Sequence, residues 1–220
     1  MEADDLDEID KMGKMKITIL GKSGVGKTCI INRYTSNYFD QVKSTKAAYF
    51  KSRSLNTPDG TINIRQIIWD TAGQETYRSL ASLYYKDANA VILVYDITDR
   101  KSFEDLSYWL SELNQHGSKN VLITIAGNKA DIINEEKVSL TEAKEYAQKA
   151  GAEFFLVSAK EDFNVTEMFT DLAMRNYSKF KSRFGFETNP KRVNVEKNGS
   201  QDKKKKKLES KQNRKERNCC

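Results

Sequence analysis

Four short loops concentrate the residue types that could do chemistry. The first, GKSGVGKT, runs from Gly21 to Thr28 and fits G-x-x-x-x-G-K-[ST]. Its backbone at Gly21, Ser23, Gly24, Val25 and Gly26 can wrap phosphates with N–H groups, and the helix opening at Thr28 and Cys29 adds the positive end of its dipole. Lys27 would reach the β- and γ-phosphates, and Thr28 would offer its hydroxyl to Mg²⁺. The second loop, DTAGQE, starts at Asp70, a carboxylate suited to the Mg²⁺ shell; Gly73 could meet a γ-phosphate through its N–H, and Gln74 could orient an attacking water. The third, NKAD, spans Asn128 to Asp131. A carboxylate accepts two hydrogen bonds from the N1–H and N2 amine of guanine, a pair that adenine lacks, so Asp131 would select the base. Asn128 can bond the base edge and the Lys129 stem can cover its face. In the fourth, SAK, Ser158, the Ala159 backbone and the Lys160 stem could close the base pocket.

These loops need strands to hold them. KITIL (16–20) reads as a strand ending at a glycine, followed by a helix over TCIINRYTS (28–36). FKSRSLN and TINIRQIIWD flank a hairpin turn marked by Pro58-Asp59-Gly60. AVILVYD (90–96) and VLITIAGN (121–128) are almost continuously apolar, as befits parallel strands covered on both faces. Helical spacing runs through 101–115 at Phe103, Leu106, Leu110 and Leu113. Residues 139–151 open on a Ser139/Glu142 capping box and end at Gly151. EFFLVSAK is a last strand and 165–180 a last helix. Alternating strands and helices imply an α/β sheet, in which ligands sit at the carboxyl ends of the strands.

Charge is unevenly placed. Residues 181–220 hold 14 Lys/Arg against 5 Asp/Glu, whereas 1–180 hold 23 against 26. The mildly acidic body argues against a nucleic-acid-binding surface. The acidic start, MEADDLDEIDKMGK, has neither the basic region nor the apolar stretch of a signal peptide, and Glu2 excludes N-myristoylation. No apolar run approaches a bilayer span. These features suggest the cytosol, where disulfides are rare and the sequons at Asn164, Asn176 and Asn198 go unused. Cys29 reads most simply as a small buried hydrophobe, and His116 as a surface residue at a helix end. Residues 1–14 read as a disordered acidic leader, 15–180 as one domain and 181–220 as a disordered basic tail.

The loops occur in a fixed order and spacing that resembles the Ras-like small GTPases. WDTAGQE, LVYDIT, GNKAD and VSAK are most similar to the Rab branch and its early-endosomal subgroup. The resemblance covers about residues 15–180 and reaches the terminal Cys219-Cys220. It implies a P-loop NTPase G domain with a six-stranded, mostly parallel sheet, one antiparallel hairpin edge strand and helices on both faces. It also implies GTP or GDP as bound nucleotide, Mg²⁺ as cofactor, and slow hydrolysis of GTP to GDP and phosphate, with Lys27 and Gln74 catalytic and an activating protein needed. By the same resemblance Thr45 ligates Mg²⁺ with Thr28 and Asp70 and senses the γ-phosphate, Tyr38 packs on guanine, and Phe50, Trp69 and Tyr84 form an effector face. Ser23 is common at its position in Rabs. Implied partners are effectors, an exchange factor, a GTPase-activating protein, a GDP-dissociation inhibitor and a prenylation escort, at the cytosolic face of an intracellular, endosomal membrane. The chain departs from the pattern at Lys46, Ala47 and Thr76 and is one residue short between Arg33 and Tyr38.

The tail ends in a basic run, Lys203–Lys207, and two thiols. A metal clamp needs more ligands than these, and a disulfide needs an oxidising compartment. The resemblance makes Cys219 and Cys220 a doubly geranylgeranylated anchor; two chains hold a bilayer where one is marginal. The lysine run could strengthen that attachment, or be a solvated charge block or a nuclear signal. Rival readings are an ATP-using P-loop kinase, which Asp131 opposes, and a nucleotide-bound scaffold with little hydrolysis, which Gln74 and Thr45 oppose.

Overall fold

The computed structural model describes residues 13–40, 45, 48–57, 60, 62–71 and 81–183. Residues 1–12 of the leader, the hairpin residues Pro58 and Asp59, the positions Lys46, Ala47, Gly73, Gln74 and Thr76, and residues 184–220 with Lys203–Lys207, Cys219 and Cys220 lie outside them.

Six strands form one sheet in the order β2-β3-β1-β4-β5-β6. They are β1 (Lys14–Leu20), β2 (Tyr49–Asn56), β3 (Asn63–Asp70), β4 (Ala90–Asp96), β5 (Leu122–Asn128) and β6 (Glu153–Leu156). Only β2 and β3 are antiparallel; β3-β1, β1-β4, β4-β5 and β5-β6 are parallel. The parallel strands therefore bring Leu20, Asp70, Asp96, Asn128 and Leu156 to one edge. Strand order reverses direction beside β1, which opens the crevice there.

Strand β4 is buried along its whole length. Its alternate residues feed two cores: Ala90, Ile92 and Val94 face one, Val91, Leu93 and Tyr95 the other. That explains an apolar run without polar alternation. The first core is closed by α1 (Lys27–Ser36), through Ile30, Ile31 and Tyr34, and by α6 (Val165–Arg183), through Met168, Phe169 and Leu172. Tyr34 stacks on Phe169 at 4.0 Å between centroids and donates its hydroxyl to Gln66 Oε1; Gln66 Nε2 donates to the Phe169 carbonyl. The second core is closed by α2 (Ser82–Tyr85), α3 (Arg100–Glu104), α4 (Leu106–His116) and α5 (Leu140–Lys149).

The single helix expected over 101–115 is two, α3 and α4, separated at Asp105. Trp109, at helical spacing from Leu106 and Leu113, is buried, while Leu110 packs only partly against the core. Asp99 caps α3 by accepting from Lys101 N. The α5 capping box is half made: Ser139 Oγ accepts from Glu142 N at 3.2 Å, but the Glu142 carboxylate accepts from Arg100 Nη1 at 2.7 Å instead. The hydrogen bond from Arg100 holds that carboxyl below its ordinary value. Strand β1 begins at Lys14, the last residue assigned to the leader, and α6 runs on to Arg183.

Edge strand β2 is mostly exposed, but its long cations fold inward over α1. Lys51 Nζ donates to Asn32 Oδ1 at 2.8 Å, and Arg53 donates to the Tyr34 carbonyl while its guanidinium covers the Tyr34 ring at 4.5 Å.

Candidate functional site

The phosphate loop leaves β1 at Gly21 and enters α1 at Lys27. Gly21 has φ +143°, and a Cβ there would lie 2.2 Å from the Val94 carbonyl oxygen. Gly26 has φ +95°, and a Cβ would strike Asn128 Nδ2 at 2.3 Å. Both positions need glycine, because the loop must lie flat against β4 and β5. No side chain caps the N-terminus of α1, which leaves its first N–H groups for an anion. Val25 is buried, Gly24 is exposed, and Ser23 is half-buried.

Lys27 curls back over this loop. Its Nζ donates to the Gly21 carbonyl at 2.8 Å and the Lys22 carbonyl at 3.0 Å. Burial lowers the ammonium to about 8, against the pull of Asp70. A buried cation whose hydrogen-bond partners among the described residues are carbonyls is matched to an anion.

Asp70, at the end of β3, is 0% exposed. Its Oδ2 accepts from Thr28 Oγ1 at 2.5 Å, and Thr28 Oγ1 lies 2.8 Å from Thr45 Oγ1. Its Oδ1 has no hydrogen-bond partner among the described residues. Burial pushes this carboxyl up, opposed by Thr28, Tyr49, Lys27 and Lys51. Tyr49 is the cross-strand neighbour of Asp70; burial first, then the adjacent carboxylate, pushes its phenol up to about 12. An orphaned buried carboxylate oxygen beside two hydroxyls suits a hard divalent cation. Among the described residues no group of three His, Cys, Asp or Glu could hold a metal alone. The donor set therefore fits Mg²⁺ held by one carboxylate, hydroxyls and a ligand's own phosphates.

The base-side loops lock one another. Asn128, 2% exposed, donates from Nδ2 to the Val25 carbonyl at 2.8 Å and accepts at Oδ1 from Ala159 N at 3.3 Å. Its amide thus joins the phosphate loop to the SAK loop, a role beyond the base contact expected of it. Lys129 has φ +70°, and its Nζ pairs with Asp96 Oδ2 at 2.5 Å. Asp131, its side chain 12% exposed, accepts from Ser158 Oγ at 2.6 Å and lies 3.7 Å from Lys160 Nζ. Ser158 Oγ also accepts from Glu161 N at 3.1 Å. Ala159 is buried.

Tyr38 is 55% exposed, its hydroxyl 3.3 Å from Asp40 Oδ2, so its ring lies open on the surface. Cys29 is half-buried rather than fully buried, and its thiol donates to the Asp40 carbonyl at 3.3 Å. Phe50 and Trp69 are cross-strand partners with rings 5.4 Å apart, and Tyr84 lies 5.4 Å beyond Trp69. Phe50 is 57% exposed, whereas Trp69 and Tyr84 are half-buried beside it. His116 is exposed at the end of α4.

Three contributors were not read from the sequence. Asp96 anchors Lys129 and accepts from Thr98 N and Oγ1. Lys22 on the phosphate loop pairs with Asp99 at 2.9 Å. Arg33 reaches across to the SAK loop. An aspartate closing the buried run LVYD was the one available signal.

An open, mostly parallel sheet with phosphate, cation and base loops along one edge defines the G-domain class of P-loop nucleotide-binding proteins. The chain belongs to the Ras family, whose profile matches residues 16–178. It is 43% identical over 167 residues to a protein of Dictyostelium discoideum described as "Putative ras-related protein Rab-5B", covering 76% of this chain and 77% of that one. It is 40% identical over 161 residues to human "Ras-related protein Rab-31", covering 73% and 82%, and 39% identical over 163 residues to human "Ras-related protein Rab-22A", covering 74% and 83%. The protein is thus a small GTPase of the Rab type, a class that acts in vesicle trafficking.

Proposed function

We propose that the protein is a guanine-nucleotide switch that hydrolyses GTP and, in the GTP form, recruits effectors to an endosomal membrane. The observation that carries this reading is the Asp131 carboxylate, held at the sheet edge by the Ser158 hydroxyl, with Lys160 Nζ 3.7 Å away. Guanine offers that carboxylate two N–H donors and adenine offers none. Asn128 fixes the pocket wall against the phosphate loop, and Ser158, Ala159 and Lys160 close it.

The reaction is GTP + H₂O → GDP + phosphate. The Lys27 ammonium turns from the Gly21 and Lys22 carbonyls to the β- and γ-phosphates and offsets charge that builds toward the leaving group. Gln74 orients the attacking water, and the Gly73 N–H holds the γ-phosphate. Thr28, Thr45 and Asp70 would hold Mg²⁺, which would supply neutralisation of the phosphate charge. No arginine in these loops supplies the remaining charge, so turnover is slow until an activating protein contributes one. Loss of the γ-phosphate releases Thr45 and Gly73, and a partner seated on Phe50, Trp69 and Tyr84 senses that release. Cys219 and Cys220, prenylated, tether the domain through the basic tail to the bilayer, with escort by a GDP-dissociation inhibitor in the cytosol. Exchange-factor and effector choice rest on the segment containing Lys46, Ala47 and Thr76.

The test is calorimetry of Asp131→Asn with guanosine and xanthosine diphosphates. The variant should lose guanosine diphosphate affinity by about a thousandfold or more and gain for xanthosine diphosphate, whose C2 oxygen accepts from the new amide. An unchanged preference for guanosine would overturn the reading.

A further inference from the structure

Arg33, near the end of α1, touches two segments distant in sequence. Its Nε donates to the Ala159 carbonyl at 2.8 Å and its Nη2 to the Lys160 carbonyl at 3.1 Å. Its Nη1 donates to the Asn37 carbonyl at 3.2 Å and to Asn37 Oδ1 at 2.9 Å. Asn37 is the C-cap of α1, at φ +48° and ψ +36°, and Tyr38 follows it. Ala159 N in turn donates to Asn128 Oδ1, and Asn128 donates to the Val25 carbonyl. One guanidinium therefore joins the start of the segment leading to Thr45 with the loop that closes over the base, and through Asn128 with the phosphate loop.

The geometry points to Arg33 as a positioning residue for nucleotide retention: it straps the 158–160 loop to the root of the 37–45 segment, so that displacing one loosens the other. This rests on the nucleotide-binding reading above. Only a planar fork with donors on several edges can serve two adjacent carbonyls and an Asn cap together; a lysine ammonium reaches one cluster at a time. Pulling Asn37 and Tyr38 away removes one prong and leaves the carbonyls of residues 159 and 160 with a weaker clamp. The base wall then opens with Asp131 intact, so the effect falls on release and not on base choice.

The test is stopped-flow release of a fluorescent guanosine diphosphate from the full chain, with association measured separately. Arg33→Met should speed release by about tenfold or more with association nearly unchanged, because charge-assisted hydrogen bonds are lost only from the closed state. Arg33→Lys should fall between it and the wild type. Asn37→Gly keeps the left-handed backbone, removes the Oδ1 acceptor, and should speed release about threefold. In the double variant the two effects should not multiply, since both cut the same strap. The guanosine-over-xanthosine preference should stay at the wild-type value in every variant. Release within twofold of wild type in Arg33→Met, or full multiplication in the double variant, overturns the proposal. If Arg33→Met does not fold, Arg33→Lys and its double with Asn37→Gly decide by the same criteria. Should the pocket prefer another nucleotide, the reading above fails, but the same rates with that nucleotide still decide the role of Arg33.

Discussion

The two ends of the nucleotide crevice are built on opposite principles. At the base end the polar side chains have protein partners: Asn128 bridges two loops, Asp131 accepts from Ser158, and Lys129 pairs with Asp96. At the phosphate end the strongest charges are left waiting. Lys27 donates to backbone carbonyls, and Asp70 Oδ1 has no hydrogen-bond partner among the described residues. Among the described residues the base end is held by protein contacts, whereas the phosphate end leaves charge for an anion and a cation to meet. The contrast suits the proposed switch, because a site satisfied by phosphate and a cation would tell one nucleotide from another.

Substitutions should separate the two ends. The largest effect is expected at Lys27→Ala, which should cost about 3 kcal/mol of nucleotide binding, roughly a hundredfold in Kd, with little loss of unfolding free energy in nucleotide-free protein. Equal losses in both would erase the contrast. Asn128→Ala should destabilise the nucleotide-free fold by about 2 kcal/mol in urea titration, because it strands the Val25 carbonyl and the Ala159 amide. Asp70→Asn should act the other way. Removing a buried, half-partnered charge should raise nucleotide-free stability by about 1 kcal/mol, while retention of nucleotide stops depending on added Mg²⁺. A destabilised Asp70→Asn would mean that the carboxylate is structural. The smallest effect belongs to the Lys22–Asp99 pair. The hydrogen bond from Lys22 holds the Asp99 carboxyl below its ordinary 3.8. Its contribution is therefore present above that value and lost as pH falls through the lower folded one. Both side chains are about a third exposed, so Lys22→Met should cost only a few tenths of a kcal/mol at neutral pH, and the gap should close on acidification.

The strands were legible because a parallel sheet buried on both faces writes itself as unbroken apolar runs, as in Ala90–Asp96. The candidate site residues were legible wherever a loop motif carried its chemistry in adjacent residues, as in Gly21–Thr28 and Asn128–Asp131. The break between α3 and α4 was not, since Asp105 keeps near-helical angles (φ −60°, ψ −18°) and the apolar spacing runs straight through it. Nor was the choice between Trp109 and Leu110, since both lie at helical spacing from Leu106 or Leu113, and only the packing buries Trp109 and leaves Leu110 partly buried. Arg33 was invisible for a plainer reason: its two carbonyl partners in the 158–160 loop lie more than 120 residues away, and nothing local marks an arginine as a strap.

The inward-folded cations of β2 bear on how the molecule behaves in a crowd. An outermost strand offers unpaired backbone groups to any passing strand, and proteins concentrated on a surface meet one another often. With Lys51 bonded to Asn32 and Arg53 laid over Tyr34, another strand could zip onto this margin only beside two anchored positive charges. Many copies could then gather on a small patch of lipid without their sheets fusing into fibres.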